Sequence, residues 1–364
     1  MNQRIRVAHL VQHLATGGLE RMAASLAWIG ETQGVESILV GYLGATDYRT
    51  TLTERGVQTA LLQTAPGLAP GLPLRLARWL IGRRVDILHT HHLGPFVYGA
   101  AAARLAGIPH VHTEHSHEFY DVPRRRLLGR AMPYFSRTIA VTKQVAAFHQ
   151  ESLGNRIEVI ENGVSIGPLP DPSVRAEARA KLAFASDDFL VGCVARLAQE
   201  KRHDRLLDVM TRMQNKAHLI LIGDGPTRSA LEASVATHGL AGRVHFLGTQ
   251  SHPESLLPAL DVITLASERE GLPMALLEGM AASIPVVASA VGGIPALLAD
   301  DVGIAIPEND LSLFAASLDA LAADATRRAV LGARGRARAR AHHSLEVMSA
   351  AYVNVYREEL KRCA

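Results

Sequence analysis

Apolar and polar positions along the chain fall into two regular patterns that take turns. Arg4 to Leu14, Ser37 to Tyr42, Val85 to His89, Pro109 to Thr113, Ile139 to Thr142 and Ile157 to Ile160 are short apolar runs rich in Val, Ile and Leu. Runs of this length and composition predict strands buried on both faces. Between them, apolar residues recur at helical spacing around Met22, Leu26 and Ala27, from Leu72 to Ile81, and from Gly99 to Leu105. The alternation restarts at Phe189 to Ala195 and continues through His218 to Ile222, Val244 to Gly248, Val262 to Ala266 and Pro285 to Ala288. Strand followed by helix, repeated, predicts a parallel doubly wound sheet. Two such series in 364 residues predict two domains, each large enough for its own core. The expected division is 1–166 and 167–344, with three prolines between Pro168 and Pro172 read as the linker. The tail, 345–364, carries Leu345, Met348, Ala351, Tyr352, Val355 and Tyr356 on one helical face that must pack on something.

In open parallel sheets ligands bind beyond the carboxyl ends of the strands. The most informative such end is Ser267 to Ser289. Glu270 precedes Gly271 and so sits on a turn; Pro273 suits the first position of a helix, where a missing N–H costs nothing. Met274, Leu277 and Met280 follow at helical spacing. A helix N-terminus offers free N–H groups and partial positive charge to an anion such as phosphate. Glu278 lies roughly 8 Å further along the axis. A carboxylate accepts hydrogen bonds only, so each Glu can hold a pair of vicinal hydroxyls. Two diol readers beside a phosphate site describe a nucleotide sugar; an exposed loop Glu and a solvated helix Glu are the plainer alternative. Arg196 and Lys201 put two cations on the loop after the Phe189 strand, where a diphosphate could lie or where both could simply be solvated. Gly17-Gly18 follows the first strand and Gly223 the His218 strand, turns that either let a ligand approach the backbone or only turn the chain.

Charge and composition narrow the classes. Net charge is +3, with 17 Lys/Arg against 12 Asp/Glu in residues 1–165 and a slight acidic excess after that. A basic first half suggests an anionic partner, and Arg124, Arg125, Arg126 and Arg130 concentrate it: either a solvated loop or contact with an anionic membrane surface. No zinc-finger or basic-aromatic pattern points to nucleic acid. Two cysteines, Cys193 and Cys363, form no disulfide framework, which fits a reducing cytoplasm. His9, Gln12 and His13 interrupt any signal-peptide core, and the longest apolar stretch, Pro285 to Ala299, is broken by Gly292, Gly293 and Pro295. Histidines gather at His89, His91 and His92 and at His110, His112, His115 and His117. With no His-Glu-x-x-His and no partnering cysteine, no metal is expected there.

The Glu270–Glu278 stretch resembles the donor-site segment of retaining glycosyltransferase family 4, whose fold is GT-B: two doubly wound, Rossmann-like parallel-sheet domains facing across a cleft. The resemblance covers almost the whole chain and is strongest from Gly192 to Gly293. The commoner family form has Gly-Phe-Gly after the first Glu, where this chain has Gly-Leu-Pro. The resemblance implies that Glu270 contacts the donor hexose, Glu278 the ribose, and Arg196 and Lys201 the diphosphate. It places Gly17, Gly18 and His115 on the donor from the first domain, and Gly223, Phe246, Gly271, Leu272 and Met274 along the donor site. His91 and Asn162, the latter in an Asn-Gly-Val like the one closing the family's first domain, are candidates for the acceptor side. The last helix is implied to cross back onto the first domain.

Activity follows from the same resemblance: transfer of a hexose from a nucleotide diphosphate sugar, uridine being the commonest base, to a sugar or lipid-linked acceptor, with retention. The setting implied is bacterial polysaccharide or glycolipid synthesis, in the cytoplasm and peripheral to the membrane. No Asp-x-Asp occurs in the chain, so neither metal nor other cofactor is expected. A GT-B sugar epimerase and an inactive nucleotide-sugar-binding subunit are the alternatives. The first is separated by incubating donor alone; the second is disfavoured by the joint presence of Gly17-Gly18, Arg196, Lys201, Glu270 and Glu278.

Overall fold

The computed structural model describes residues 4–363 except 16, 46–47, 66, 116–119, 121 and 170. His117 and Pro170, the middle one of the three prolines, therefore lie outside the described residues. The chain forms two compact units, 1–163 together with 345–364, and 164–344.

The first unit runs β1 (Ile5–Leu14), α1 (Gly18–Gly30), β2 (Val35–Ala45), α2 (Tyr48–Glu54), β3 (Gln58–Leu61), α3 (Leu72–Gly82), β4 (Ile87–His91), α4 (Leu93–Ala106), β5 (His110–Glu114), α5 (Pro123–Phe135), β6 (Arg137–Ala140), α6 (Lys143–Phe148) and β7 (Glu158–Val159). Its seven strands lie in the order β3-β2-β1-β4-β5-β6-β7, and all pairings are parallel. Because successive strand side chains point to opposite faces, β1 feeds two cores. Ala8 and Leu10 join Ile38, Leu76, Leu80 and Ala102 on one side, while Val11 and Leu14 join Ala23, Ala27 and Leu39 on the other. Strands β2 and β4 start two residues away from their expected positions, and β3 and α2 were not anticipated. The basic segment is helix α5, not a loop.

The second unit contains α7 (Pro172–Lys181), β8 (Leu190–Val194), α8 (His203–Arg212), β9 (His218–Ile222), α9 (Arg228–Thr237), β10 (Val244–Gly248), β11 (Val262–Leu265), α10 (Met274–Ala281), β12 (Val286–Ser289), α11 (Ile294–Leu297), β13 (Ile304–Ile306), α12 (Leu311–Ala323) and α13 (Ala325–His342). Its six parallel strands follow the order β10-β9-β8-β11-β12-β13. Asp261, at the start of β11, anchors α7: its two carboxylate oxygens each lie 2.6 Å from a guanidinium, Arg175 and Arg179, and it also accepts from Leu190 N–H at 2.8 Å.

The three-proline stretch is not the linker. Val164 already donates its N–H to His343 O at 2.8 Å and bridges Ser344 in parallel. The chain has therefore joined the second unit before Pro168, and the prolines only lead into α7, capped by the Asp171 carboxylate on Ser173 N–H. The chain then leaves the second unit at Ser344 and adds α14 (Leu345–Cys363) to the first. There Tyr352 and Tyr356 are buried, their hydroxyls bonded to Thr113 Oγ1 and His89 Nδ1.

Candidate functional site

In each sheet the strand order reverses once, between β1 and β4 and between β8 and β11. Ligands bind at such reversals, beyond the carboxyl ends of the strands. Several predicted residues lie there. Gly17-Gly18 follows β1, His91 ends β4 and His92 follows it; Arg196, Lys201 and Ser267 to Pro273 follow β8 and β11.

In the second unit, a short turn, Gln199–Lys201, is tied to the loop after β11 by Glu268 N–H donating to Glu200 O at 2.9 Å. This link brings Lys201 Nζ to 2.7 Å from Glu270 Oε1. Ser267 Oγ donates to the same oxygen at 2.6 Å. Oε2 receives no hydrogen bond from a described residue. The Lys201 and Glu270 side chains are 24% and 7% exposed, so the pair is largely withdrawn from solvent. Arg196 is exposed; its carbonyl accepts from Ala198 N–H at 2.8 Å, and its side chain makes no hydrogen bond or ion pair with a described residue.

Pro273 is the N-cap of α10, not its first helical residue, with φ −73° and ψ 119°. The extended ψ lets the Pro273 carbonyl accept from Leu276 and Leu277 N–H, at 3.1 and 3.3 Å. The N–H groups of Met274 and Ala275 are left with no partner among the described residues, as expected at a helix start. Gly271 O accepts from Gly293 N–H at 3.0 Å, joining this loop to the glycine turn after β12. Leu272 is buried in the core, so it offers a ligand its backbone only. Met274 and Glu278 are half-buried on α10.

Gly223 has a reason of its own. At φ 143° a Cβ would lie 2.0 Å from Ala195 O, so the close approach that demands glycine is to the neighbouring strand's backbone. Gly223 N–H also donates to Gly248 O at 2.9 Å. Phe246 is half-buried, with the Arg228 guanidinium 5.7 Å from its ring centre, and Arg228 is held by Asp224 and Glu232 at 2.9 and 2.8 Å.

In the first unit, the two glycines of the β1–α1 turn differ. A Cβ on Gly17 would sit 2.2 Å from Glu20 Oε2, whereas one on Gly18 meets nothing within 4 Å. Gly17 thus makes room for the Glu20 carboxylate, folded back over the start of α1 where negative charge is favoured. Burial raises the Glu20 pKa while the bond to its own backbone N–H lowers it. Gly18 is the glycine with open space beside it.

The histidines divide by strand face. His110 and His112 share one face of β5, and both bond Thr90 Oγ1, at 2.8 and 2.9 Å. On the opposite face His9 Nδ1 lies 3.2 Å from His91 Nε2, and His91 Nδ1 lies 3.5 Å from His115 Nε2. Burial holds His9 and His115 down at about 3 and His89 and His91 well below the ordinary histidine range. Ring nitrogens of His9, His89 and His91 lie within 4.8 Å of one another, a spacing a metal could bridge. Hydrogen bonds already account for it: His89 gives Nδ1 to Tyr356 OH and Nε2 to Thr113 Oγ1, both at 2.7 Å. His91 is fully buried, so any effect on an acceptor passes through its neighbours. Asn162 is also buried. His92 starts α4 at φ 83° and ψ 156°, a sparsely populated conformation for a residue with a side chain.

Sequence reasoning missed the roles of Ser267, Glu20 and His9, while the free amides at the start of α10 were expected from the helix N-terminus. Ser267 and Glu20 lie three residues from singled-out positions, a detectable signal. His9 had none, since its partner is 82 residues away.

Two family models match side by side: Glycosyltransferase Family 4 over residues 16–167 and Glycosyl transferases group 1 over residues 174–338. The chain is 29% identical to a D-inositol 3-phosphate glycosyltransferase of Salinispora tropica, over 70% of this chain and 60% of that protein. It is 26% identical to the UDP-Gal:alpha-D-GlcNAc-diphosphoundecaprenol alpha-1,3-galactosyltransferase of Escherichia coli, over 66% and 67% of the two chains. The chain thus spans about six tenths of the length of the first of these relatives. HepE of Anabaena, solved with UDP and glucose, shares the fold with a TM-score of 0.85 at 21% identity, over 97% of this chain and 100% of that one.

Proposed function

The chain belongs to the glycosyltransferases of group 1 and family 4, with the two-domain GT-B fold, and from that premise we propose that it moves a hexose from a uridine diphosphate sugar to an acceptor hydroxyl, with retention and without a metal ion. The observation that carries this reading is the convergence of Lys201, Ser267 and Glu270 beside the unpartnered amides of α10 at the strand reversal of the second unit. Cations and free amides suit a diphosphate. Glu270 Oε1 is occupied by Lys201 and Ser267. That makes it a poor nucleophile and leaves Oε2 to accept from a hexose hydroxyl. Glu278, a turn into α10, is assigned to the ribose, and Phe246 to the side of the base.

On this reading the anomeric C1–O bond to the diphosphate breaks as the acceptor oxygen bonds to C1 from the same face. The acceptor proton passes to the departing phosphate oxygen. Arg196, Lys201 and the Met274 and Ala275 amides stabilise the charge that grows there, the kind of preorganised electrostatic contribution that dominates many enzyme rate enhancements. In the first unit Gly18 and His115 are assigned to the donor sugar, with Gly17 seating Glu20. Relatives named for inositol phosphate and for a lipid-linked diphosphate sugar support a glycolipid or polysaccharide acceptor.

The lipid-linked acceptor in the name of the Escherichia coli relative favours work at a membrane face, and α5 offers one. It exposes Arg124, Arg125, Arg126 and Arg130 together with Leu127 and Tyr134, 71% and 87% exposed, and carries no acidic residue. No helix among the described residues is long and apolar enough to cross a bilayer. We assign α5 to contact with anionic lipid; the Arg124, Arg125, Arg126 and Arg130 alanine variant should lose sedimentation with anionic vesicles at low salt. Equal sedimentation of variant and wild type removes that assignment.

The function is tested by calorimetric titration with UDP-hexoses and GDP-mannose, followed by incubation of each bound donor alone and, with EDTA present, together with a lipid-linked sugar acceptor. A UDP-sugar should bind, stay unisomerised and be turned over with EDTA. Isomerised sugar, or activity lost to EDTA and restored by Mn²⁺, overturns the proposal.

A further inference from the structure

A cavity of about 690 Å³ opens in the first unit at the amino ends of β5, β6 and β7, whose first residues, His110, Arg137 and Glu158, line it. Helices that connect parallel strands run back against them, so α4, α5 and α14 bring in their C-terminal parts: Arg104, then Pro133 to Phe135, then Glu359 and Arg362. His110 Nδ1 lies 3.1 Å from Phe135 O and pins the end of α5 to β5. The five residues of β5 separate this cavity from the carboxyl ends of the strands, about 16 Å at the usual rise per residue. It is therefore no part of the donor site, and too far from it to hold the acceptor hydroxyl.

The charges lining the cavity do not balance. Glu158 is taken by Arg137 at 2.7 Å and Glu359 by Arg362 at 2.8 Å. Arg104 and Arg156 are exposed, and neither side chain has a partner among the described residues. Cations are favoured in the last turn of a helix, which accounts in part for Arg104 and Arg362. Arg156 stands on the loop before β7 and ends no helix. Two unpaired guanidiniums lining one concave space repel each other and attract an anion. Each presents a rigid fork of donors that fits two oxygens of a phosphate at once. Ala100, Ala103, Ile108 and Pro109 add apolar lining. Tyr134 and Phe135 line it too, 87% and 52% exposed, at the end of α5. Phosphate-binding cations and apolar surface thus meet where the helix assigned to anionic lipid ends.

We propose that this cavity is a headgroup site, which takes the phosphate of one anionic glycerophospholipid between Arg104 and Arg156 with the start of its acyl chains against Tyr134 and Phe135. The choice of a lipid as occupant rests on the assignment of α5 to a membrane; the unbalanced charge does not. Helix α5 then supplies general attraction to the surface, and the cavity supplies recognition of the phosphate.

The test is calorimetric titration of the full chain with dihexanoyl phosphatidylglycerol below its micelle concentration and with glycerol phosphate, beside sedimentation with phosphatidylglycerol vesicles. The monomeric lipid should bind one per chain and more tightly than glycerol phosphate. The Arg104→Ala, Arg156→Ala double variant should lose about tenfold or more in that affinity, and Arg156→Lys should lose less than Arg156→Ala. Both residues are exposed, so these variants should keep the fold. The α5 variant lacking Arg124, Arg125, Arg126 and Arg130 should bind the monomeric lipid like wild type. No binding of the monomeric lipid by wild type, or equal binding by the double variant, overturns the proposal. Glycerol phosphate bound as tightly as the lipid overturns the headgroup assignment in favour of a soluble phosphate ester. If the α5 variant still sediments with vesicles while the double variant loses the monomeric lipid, the cavity assignment stands and that of α5 falls.

Discussion

Lys201 and Arg196 are both assigned to the leaving diphosphate, yet the structure predicts that their removal is felt differently by the fold. Lys201→Ala takes away the cation 2.7 Å from Glu270 Oε1 and leaves a carboxylate, 7% exposed, with only the Ser267 hydroxyl. Breaking a fully buried pair costs about 3–5 kcal/mol. Lys201 is 24% exposed, which brings the expectation down to about 2 kcal/mol, in line with a hydrogen bond to a charged group. In a domain of this size that lowers the melting temperature of the second unit by about 4–8 °C. The Arg196 side chain is exposed and has no partner among the described residues, so Arg196→Ala should stay within about 0.5 kcal/mol of wild type. Catalysis should not follow this split. Each variant loses one preorganised stabiliser of developing charge, worth on the order of 10²–10³ in kcat, and that loss should exceed the loss in UDP affinity because the charge grows as the bond breaks. Scanning calorimetry, UDP titration and donor turnover on the two variants give the three readouts. Glu270→Gln paired with Lys201→Ala in a double-mutant cycle should show coupling of about 1–2 kcal/mol in stability. Near-wild-type turnover in both alanine variants removes the cations from the mechanism, and equal destabilisation by both refutes the ion-pair reasoning.

Gly17→Ala should destabilise the first unit by about 1 kcal/mol, because Glu20 must leave the start of α1; Gly18→Ala should hold or raise stability while lowering turnover, and thermal unfolding beside a turnover assay separates the two. Glu278→Ala should weaken UDP binding about tenfold to a hundredfold by loss of a charged hydrogen-bond acceptor, whereas Glu270→Ala should spare it; equal losses in titration would end this division. Acid should destabilise the first unit: His9 and His110 are held neutral at about 3 in the fold against about 6.5 unfolded. The unfolded chain therefore binds the extra protons, and stability falls as pH drops below about 6.5, by roughly 1.4 kcal/mol per pH unit for each of the two residues. Denaturant unfolding followed from pH 7 to pH 5 measures the slope, and His110→Gln should flatten it.

What could be read from the chain was local. The apolar runs placed β9 and β10 to the residue and most other strands within two, because a buried strand must be apolar on both faces and ends where Gly or a polar turn interrupts it. Repetition of strand and helix implied two parallel sheets, and turns at strand ends carried Arg196, Lys201, Glu270 and Gly18. The C-terminal helix declared its apolar face through Met348, Tyr352 and Tyr356, all buried in the structure.

Pairings between distant residues were decided by the tertiary structure alone. Nothing near Lys201 in the chain names Glu270, 69 residues on, as its partner; they meet because β8 and β11 are neighbours in the sheet and the turns beyond them share a backbone hydrogen bond. Gly223 looked like an opening for a ligand, and only the Ala195 carbonyl beside it shows why glycine is needed. Pro168 to Pro172 looked like a linker, but the crossing point was set by Val164 pairing with His343 and Ser344, 179 and 180 residues away. His9 sat unnoticed in a strand pattern until β1 lay beside β4 and brought its ring to His91. Side-chain periodicity is a property of neighbours along the backbone and survives in the sequence; strand order and loop contacts arise from free energy shared among segments far apart, and no local pattern records them.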